Sequence, residues 1–208
     1  MPDWKFENQH SGFVCGIDEA GRGPWVGPVV AGAVIFINRD INNEILENLD
    51  DSKKLSARKR ERLYELLLEE EKRGNLTYGI GLASAKEIDE LNILQATFLA
   101  MSRAVECLKI KPETALIDGN RTPKSFACKS ECIIKGDSLS YSISAASILA
   151  KVYRDNLMKK MAQDFPGYGF EKNAGYGTKE HIEGLKKYGV TIEHRKSYRP
   201  IKEFLNAG

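Results

Sequence analysis

Nowhere in its 208 residues does the chain hold an apolar run approaching the ~20 residues of a membrane-spanning helix. That shortage argues against an integral helical membrane protein, and the polar, mixed-charge start at 1–10 predicts no secretory signal. Cysteine is scarce. Cys15, Cys107, Cys128 and Cys132 include one C-x3-C pair, with no second pair or nearby histidine to complete a zinc set. The expectation is four reduced thiols in a cytoplasmic protein. A surplus of charge is missing too: 31 Lys and Arg stand against 29 Asp and Glu, a net +2, so there is no global attraction for nucleic acid. Internal repeats and low-complexity linkers are also lacking, which excludes a solenoid.

What is present suits an ordinary globular fold. Hydrophobic residues make up 42% and charged residues 29%, and a chain of this length buries roughly 70% of its unfolded surface. Residues 171–208 carry eight Lys and Arg against five Asp and Glu, a local +3. This suits a phosphate-binding surface and equally a solvated one.

Apolar alternation predicts strands at 13–18, 26–37, 76–83 and 114–118, with another touching 133–134. The first two are joined tightly enough to pair antiparallel. Ser56 is placed to cap a helix reaching about residue 73, and Thr178 one reaching 188. Residues 91–108 form an apolar face at helical spacing, and 142–165 reads as a long helix. The glycine- and aromatic-rich stretch 167–177 reads as a loop. Together these elements predict a mixed α/β sheet covered by helices.

Carboxylates carry the chemical signal. Asp18 and Glu19 end the first apolar strand, Asp118 ends another, and Asp137 follows a third apolar stretch. Sheets of this class place ligands at strand ends. Clustered carboxylates repel unless a cation lies among them. Oxygen ligands without His or Cys select Mg²⁺ or Mn²⁺, and two such ions can clamp the attacking and leaving oxygens of a phosphodiester. Both Asp137 and Asp155 lie in a motif-rich stretch, and the fourth ligand is expected to be Asp137 rather than Asp155. The latter sits inside the long helix, four residues from both Lys151 and Lys159, where an ion pair explains it.

Around these acids stand groups with two readings each. Gly21-Arg22-Gly23 is either a plain turn or a backbone that approaches a ligand closely. Lys53 and Lys54 precede a helix whose first turns carry Arg58, Lys59, Arg60 and Arg62, either a solvated face or a phosphate site. Tyr168, Phe170 and Tyr176 either close their loop onto the core or stack on a base or sugar. Ser144, Ser147, Lys151 and Arg154 form a polar stripe at helical spacing, able to face the site. His10, His181 and His194 form no triad pattern, which suggests surface or structural roles.

Taken together, GIDEAGRGPWVGPVVAGAVI at 16–35, DSKKLS at 51–56, IDGN at 117–120, KGDSLSYSISAASILAKVYRD at 135–155, GYGTKEH at 175–181 and HRKSY at 194–198 resemble ribonuclease HII, in family order over most of the chain. The resemblance implies a ribonuclease H-like fold: a five-stranded mixed sheet with its first three strands antiparallel, flanked by helices. It implies a catalytic domain over 1–165, and a C-terminal loop and helical segment over 166–208 completing the substrate surface. It implies Asp18, Glu19, Asp118 and Asp137 as catalytic metal ligands for two Mg²⁺ or Mn²⁺ ions. Gly21, Arg22, Gly23, Lys53, Ser144, Ser147, Lys151 and Tyr176 are the expected substrate-binding residues, with the 21–23 backbone sensing a 2′-OH and Tyr176 stacking on a sugar.

The implied activity is hydrolysis of the RNA strand of RNA–DNA hybrids, and cutting at ribonucleotides embedded in duplex DNA, leaving 3′-OH and 5′-phosphate ends. The implied enzyme is a monomer acting away from membranes. Two departures stand out. Asn173-Ala174 replaces a common His-Lys pair, which removes a basic phosphate contact, and Tyr198-Arg199-Pro200 replaces a common Phe-Ala-Pro. Ribonuclease HIII fits less well. It usually carries an extra N-terminal domain, and here the first catalytic strand begins near residue 13. It also usually has Glu as its fourth carboxylate. A non-catalytic hybrid binder fits less well too, since no carboxylate is missing.

Overall fold

Strict alternation makes the first strand. In VCGIDEA, Cys15 and Ile17 point to one face, and Gly16 and Asp18 to the other. The computed structural model describes residues 1–123 and 126–206. In chain order it contains β1 (Val14–Ala20), β2 (Val29–Phe36), α1 (Asn43–Asn48), α2 (Ala57–Lys72) and β3 (Leu76–Ala83). These are followed by α3 (Ala85–Leu91), α4 (Ile93–Glu106), β4 (Thr114–Asp118), β5 (Lys129–Ile133), α5 (Tyr141–Asp164), α6 (Phe170–Asn173), α7 (Lys179–Tyr188) and α8 (Arg199–Asn206). The strands form one sheet in the order β3-β2-β1-β4-β5. The pairs β1–β2 and β2–β3 are antiparallel, and β1–β4 and β4–β5 are parallel. The expected five-stranded mixed sheet with three leading antiparallel strands is therefore the observed one.

Each face of the sheet has its own core. On one, Cys15, Ile17, Ala115 and Ile117 pack with Ala100, Met101 and Ala104 of α4. On the other, Val34 and Leu76 pack with Leu63 and Leu67 of α2 and Ala145, Ile148 and Leu149 of α5. The α5 helix lies unusually close to β1 and β2. A Cβ on Gly16 would fall 2.1 Å from the carbonyl carbon of Ser142, and one on Gly32 would fall 2.6 Å from the Ala146 oxygen. The small-residue start of α5 is thus a contact surface, packed directly on β1 and β2.

Several boundaries differ from the sequence reading for definite reasons. The first strand runs on to Ala20 because Glu19 and Ala20 still pair with Ala31 and Val30. The second starts at Val29, not 26, because residues 25–27 bond to the C-terminal segment: Trp25 N to Gly175 O, Gly27 N to Glu193 O, and Arg195 N to Trp25 O. The helical pattern at 91–108 is broken at Asn92, which has φ 70° and accepts from Leu94 and Gln95 N–H as the cap of α4. The extra helix before it, α3, is started by a capping box between Ser84 and Glu87. The stretch 167–177, expected as a loop, contains the one-turn helix α6, and its Tyr168 and Phe170 are buried with Val26, Met158, Leu185 and Ile201. They hold the C-terminal segment to the end of α5.

Candidate metal centre and nucleic-acid cleft

The parallel pairing of β1 with β4 brings the first two acids together. Ile17 is level with Ile117, so Asp18 and Asp118 are the next residues of adjacent strands, on the face that α5 covers. On the other side Asp118 pairs with Ile133 of β5. Four residues later, a 3-10 turn over Gly136–Ser138 delivers Asp137. The Gly136 N–H donates to Asp118 Oδ1 at 2.7 Å, tying that turn to the strand end. One ligand oxygen from each of Asp18, Asp118 and Asp137 lies within 4.8 Å of the others.

Glu19 does not join this group. It is still in the strand, so its side chain leaves by the opposite face, and its carboxylate meets Arg22 Nη1 at 3.2 Å. The two adjacent acids near the end of β1 therefore point to opposite faces. The ladder with β2 continues through Glu19, and no turn intervenes.

The electrostatics are those of a site short of positive charge. Burial pushes Asp18 well above the usual carboxylate range, helped by the charges of Glu19 and Asp118 and opposed by the Ser147 hydroxyl. Burial also raises Glu19 and Asp118. Asp137 is raised to about 6, first by burial and then by Asp118 and Asp51. Burial works against the Lys53 ammonium, but Asp18, Asp51, Asp137 and Asp118 outweigh it and hold its pKa above the ordinary value. Asp51 is an acid the sequence reading missed as a site neighbour. Its only signal there is membership of the DSKKLS stretch.

This has a consequence for stability. A carboxyl whose folded pKa lies above its unfolded value binds its proton more tightly when folded. Stability then falls as pH rises between the two values. Asn does not titrate, so without divalent cations Asp137→Asn should melt higher than the parent above about pH 6. The gap should close as pH falls into the ordinary carboxylate range. Melting curves in chelator at several pH values check this, and a variant that melts lower than the parent at every pH would contradict it.

Beside the acids opens a cleft of about 720 Å³, lined by Glu19, Gly21, Arg22, Gly23, Lys53 and Tyr176 among others. Lys151 is also in its wall. Tyr176 is half exposed and stands over Gly23, its ring 3.4 Å from where a Cβ would be. Its backbone oxygen meets His181 Nδ1 at 2.9 Å, and His181 Nε2 meets His194 Nε2 at 3.1 Å in a buried pair. The two histidines are thus structural supports for the Tyr176 turn, and His10 pairs with Glu131.

The polar stripe on α5 is mostly buried. Ser144 donates to Asp50 O at 3.1 Å and Ser147 to Ser52 Oγ at 2.8 Å, so both fix the 50–52 loop that carries Asp51 and leads into Lys53. A direct substrate contact by Ser144 or Ser147 would have to displace that packing. Arg154 is buried on backbone carbonyls. Asp155 meets Lys151 at 2.6 Å as expected, while Lys159 turns instead to Glu61. On α2, Arg60 donates to the Ser52 and Leu55 carbonyls, and Arg62 pairs with Glu44. Arg60 and Arg62 are therefore stabilised by the protein itself.

Comparison with known proteins identifies both the family and the fold. Residues 15–201 match the family described as ribonuclease HII. The ribonuclease HII of Paramagnetospirillum magneticum is 50% identical over 205 residues, 99% of each chain. Among solved structures, the ribonuclease H2 of Pyrococcus horikoshii is 27% identical with a TM-score of 0.71, over 94% of this chain and 98% of that one. A structure of Bst-RNase HIII in complex with Mn²⁺ is 17% identical and shares the fold, with a TM-score of 0.72 over 97% of this chain and 71% of that one.

Proposed function

Because the chain belongs to the ribonuclease HII family, whose divalent-metal-dependent enzymes cut the RNA strand of RNA–DNA hybrids, we propose that it also cuts at single ribonucleotides embedded in duplex DNA. Hydrolysis would use two bound Mg²⁺ or Mn²⁺ ions and leave 3′-OH and 5′-phosphate ends. The observation that carries this reading is the meeting of Asp18, Asp118 and Asp137 oxygens within 4.8 Å, from three separate elements. The donor set fits such ions. It is all carboxylate oxygen, and burial together with like charge raises these groups, a cost that a cation removes.

In this reading Asp18, Glu19, Asp118 and Asp137 would hold the cations, which would supply activation of a water and neutralisation of charge at the leaving oxygen. The chain's own groups do the rest. Lys53 places a positive charge beside the acids and the incoming phosphates. The exposed Tyr176 ring, beside Gly23, offers a flat apolar face to a sugar in the cleft. The backbone of those three residues approaches the ribose and reads its 2′-OH. Lys151 lies at the cleft's edge, where it can meet a backbone phosphate.

The test is incubation with two labelled duplexes, one a hybrid and one DNA with a single ribonucleotide, with Mg²⁺ or Mn²⁺. Cutting of both, with no cutting of an all-deoxy control, is the expected result. Tight binding without cutting would identify a binder that has kept the fold.

A further inference from the structure

Arg154 and Arg195 head the largest fully buried side chains of the protein, and among the described residues neither forms an ion pair with a carboxylate. A buried guanidinium without a counter-ion needs strong hydrogen-bond acceptors. Arg195 finds them in the loop after the catalytic strand. Its Nη2 donates to Gly21 O at 2.6 Å, Nη1 to Arg22 O at 2.9 Å and Nε to Gly27 O at 2.9 Å. Tyr198 joins it. Its hydroxyl donates to Arg22 O at 2.5 Å and accepts from Arg195 Nη1 at 3.0 Å.

The consequence follows from peptide geometry. No peptide bond among the described residues is cis, so each C=O points opposite to the N–H of the same plane. Drawing the Gly21 and Arg22 carbonyls inward onto Arg195 therefore turns the N–H groups of Arg22 and Gly23 outward. They face the cleft that Gly21, Arg22, Gly23 and Tyr176 line together. Among the described residues neither N–H has an acceptor in the protein. A rigid pair of donors is thereby presented at one spot, with its orientation set from behind. Arg154 backs the same loop: its Nε lies where a Cβ on Gly21 would fall, at 1.9 Å, and it ties Val26 O, Pro28 O and Ala174 O together.

We propose that Arg195, seconded by Tyr198, is a positioning residue that sets selectivity for a 2′-hydroxyl by fixing the peptide planes of Gly21-Arg22 and Arg22-Gly23. The inference rests on the reading that this backbone senses the ribose. It also gives a role to Tyr198, one of the two departures from the resembled family: the tyrosine adds a second donor to the Arg22 carbonyl. Lysine cannot replace Arg195, because one ammonium cannot span three carbonyls held by a planar fork.

The test uses the full chain carrying Asp137→Asn, so that substrate persists. Affinities are measured with Mg²⁺ for two duplexes, identical except that one has a single ribonucleotide and the other is all deoxy. Arg195→Lys should lower the preference for the ribonucleotide about tenfold, and Tyr198→Phe about threefold, since one donor to Arg22 O remains. Affinity for the all-deoxy duplex should hold. Equal weakening on both duplexes would mean general structural damage and overturn the proposal. If the Asp137→Asn parent itself shows no preference, the reading of 21–23 fails and takes this inference with it. If the parent prefers the ribonucleotide and both folded variants keep that preference, only the role of Arg195 and Tyr198 is overturned. Should Arg195→Lys not fold, Tyr198→Phe decides alone.

Discussion

Asp18→Asn, Glu19→Gln and Asp118→Asn should each lower the cleavage rate by at least about a hundredfold, with substrate affinity changed only a few-fold. Losing a group that merely orients a metal ligand costs about 10–100-fold, and losing one that stabilises transition-state charge costs about 10²–10³-fold. These carboxylates combine the two roles if they hold cations against the scissile phosphate, so their effect belongs at the top of that range. Binding should largely survive because duplex affinity comes from contacts to many phosphates. Single-turnover rates beside equilibrium binding on the same duplex check the split. Near-parental turnover in any one variant would remove that residue from the site. Glu19 is the sharpest case: it stands on the opposite face from the Asp18–Asp118–Asp137 group and is paired with Arg22.

A second large effect is expected far from any substrate. Gly16→Ala places a methyl 2.1 Å from Ser142 C and 2.2 Å from Ile143 N, both backbone atoms at the start of α5. No side chain can swing aside, so the helix must move off the sheet. Overpacking of this kind costs about 1–3 kcal/mol and occasionally more, against a total stability of about 5–15 kcal/mol for a domain. A fall of roughly 10 °C in melting temperature is expected for a chain of this size. Activity should drop too, because Ser144 and Ser147 on that helix hold the 50–52 loop. Gly74→Ala is the control. Its methyl meets nothing within 4 Å, and only its φ of +78° is unfavourable, a cost of about 1–2 kcal/mol. Equal melting of the two variants would mean α5 is not pressed on the sheet as described.

How far the sequence foretold this structure depends on what kind of force places each residue. Asp18 and Asp118 could be found because a short apolar strand ending in an acid is a local pattern, and β3 and β4 lie where alternation puts them. The caps Ser56 and Thr178 were equally local. The α3 helix had its signal as well, in the Ser84–Glu87 capping box, but the stronger apolar spacing that follows absorbed it. The side Glu19 takes was hidden, because it depends on how long β1 keeps pairing with β2. Arg154 and Arg195 were beyond reach in a different way. Arginine in a sequence suggests surface, and the carbonyls that bury Arg195 lie 168 to 174 residues away along the chain. Tyr168 and Phe170 were ambiguous, since loop aromatics that serve the core and those that serve a ligand have the same composition. Only packing with Val26 and Leu185 distinguishes them from Tyr176.

If the carboxylates gathered at the strand ends carry the chemistry, Asp137→Asn and Asp155→Asn must differ sharply when each is given a singly ribonucleotide-containing duplex in Mg²⁺, side by side. Both residues lie in the same motif-rich stretch. Asp137 shares the 4.8 Å group with Asp18 and Asp118, whereas Asp155 lies on α5 beside Lys151. Cutting should collapse in Asp137→Asn and persist in Asp155→Asn, both proteins being folded. Cutting retained by Asp137→Asn and lost in Asp155→Asn would contradict this expectation.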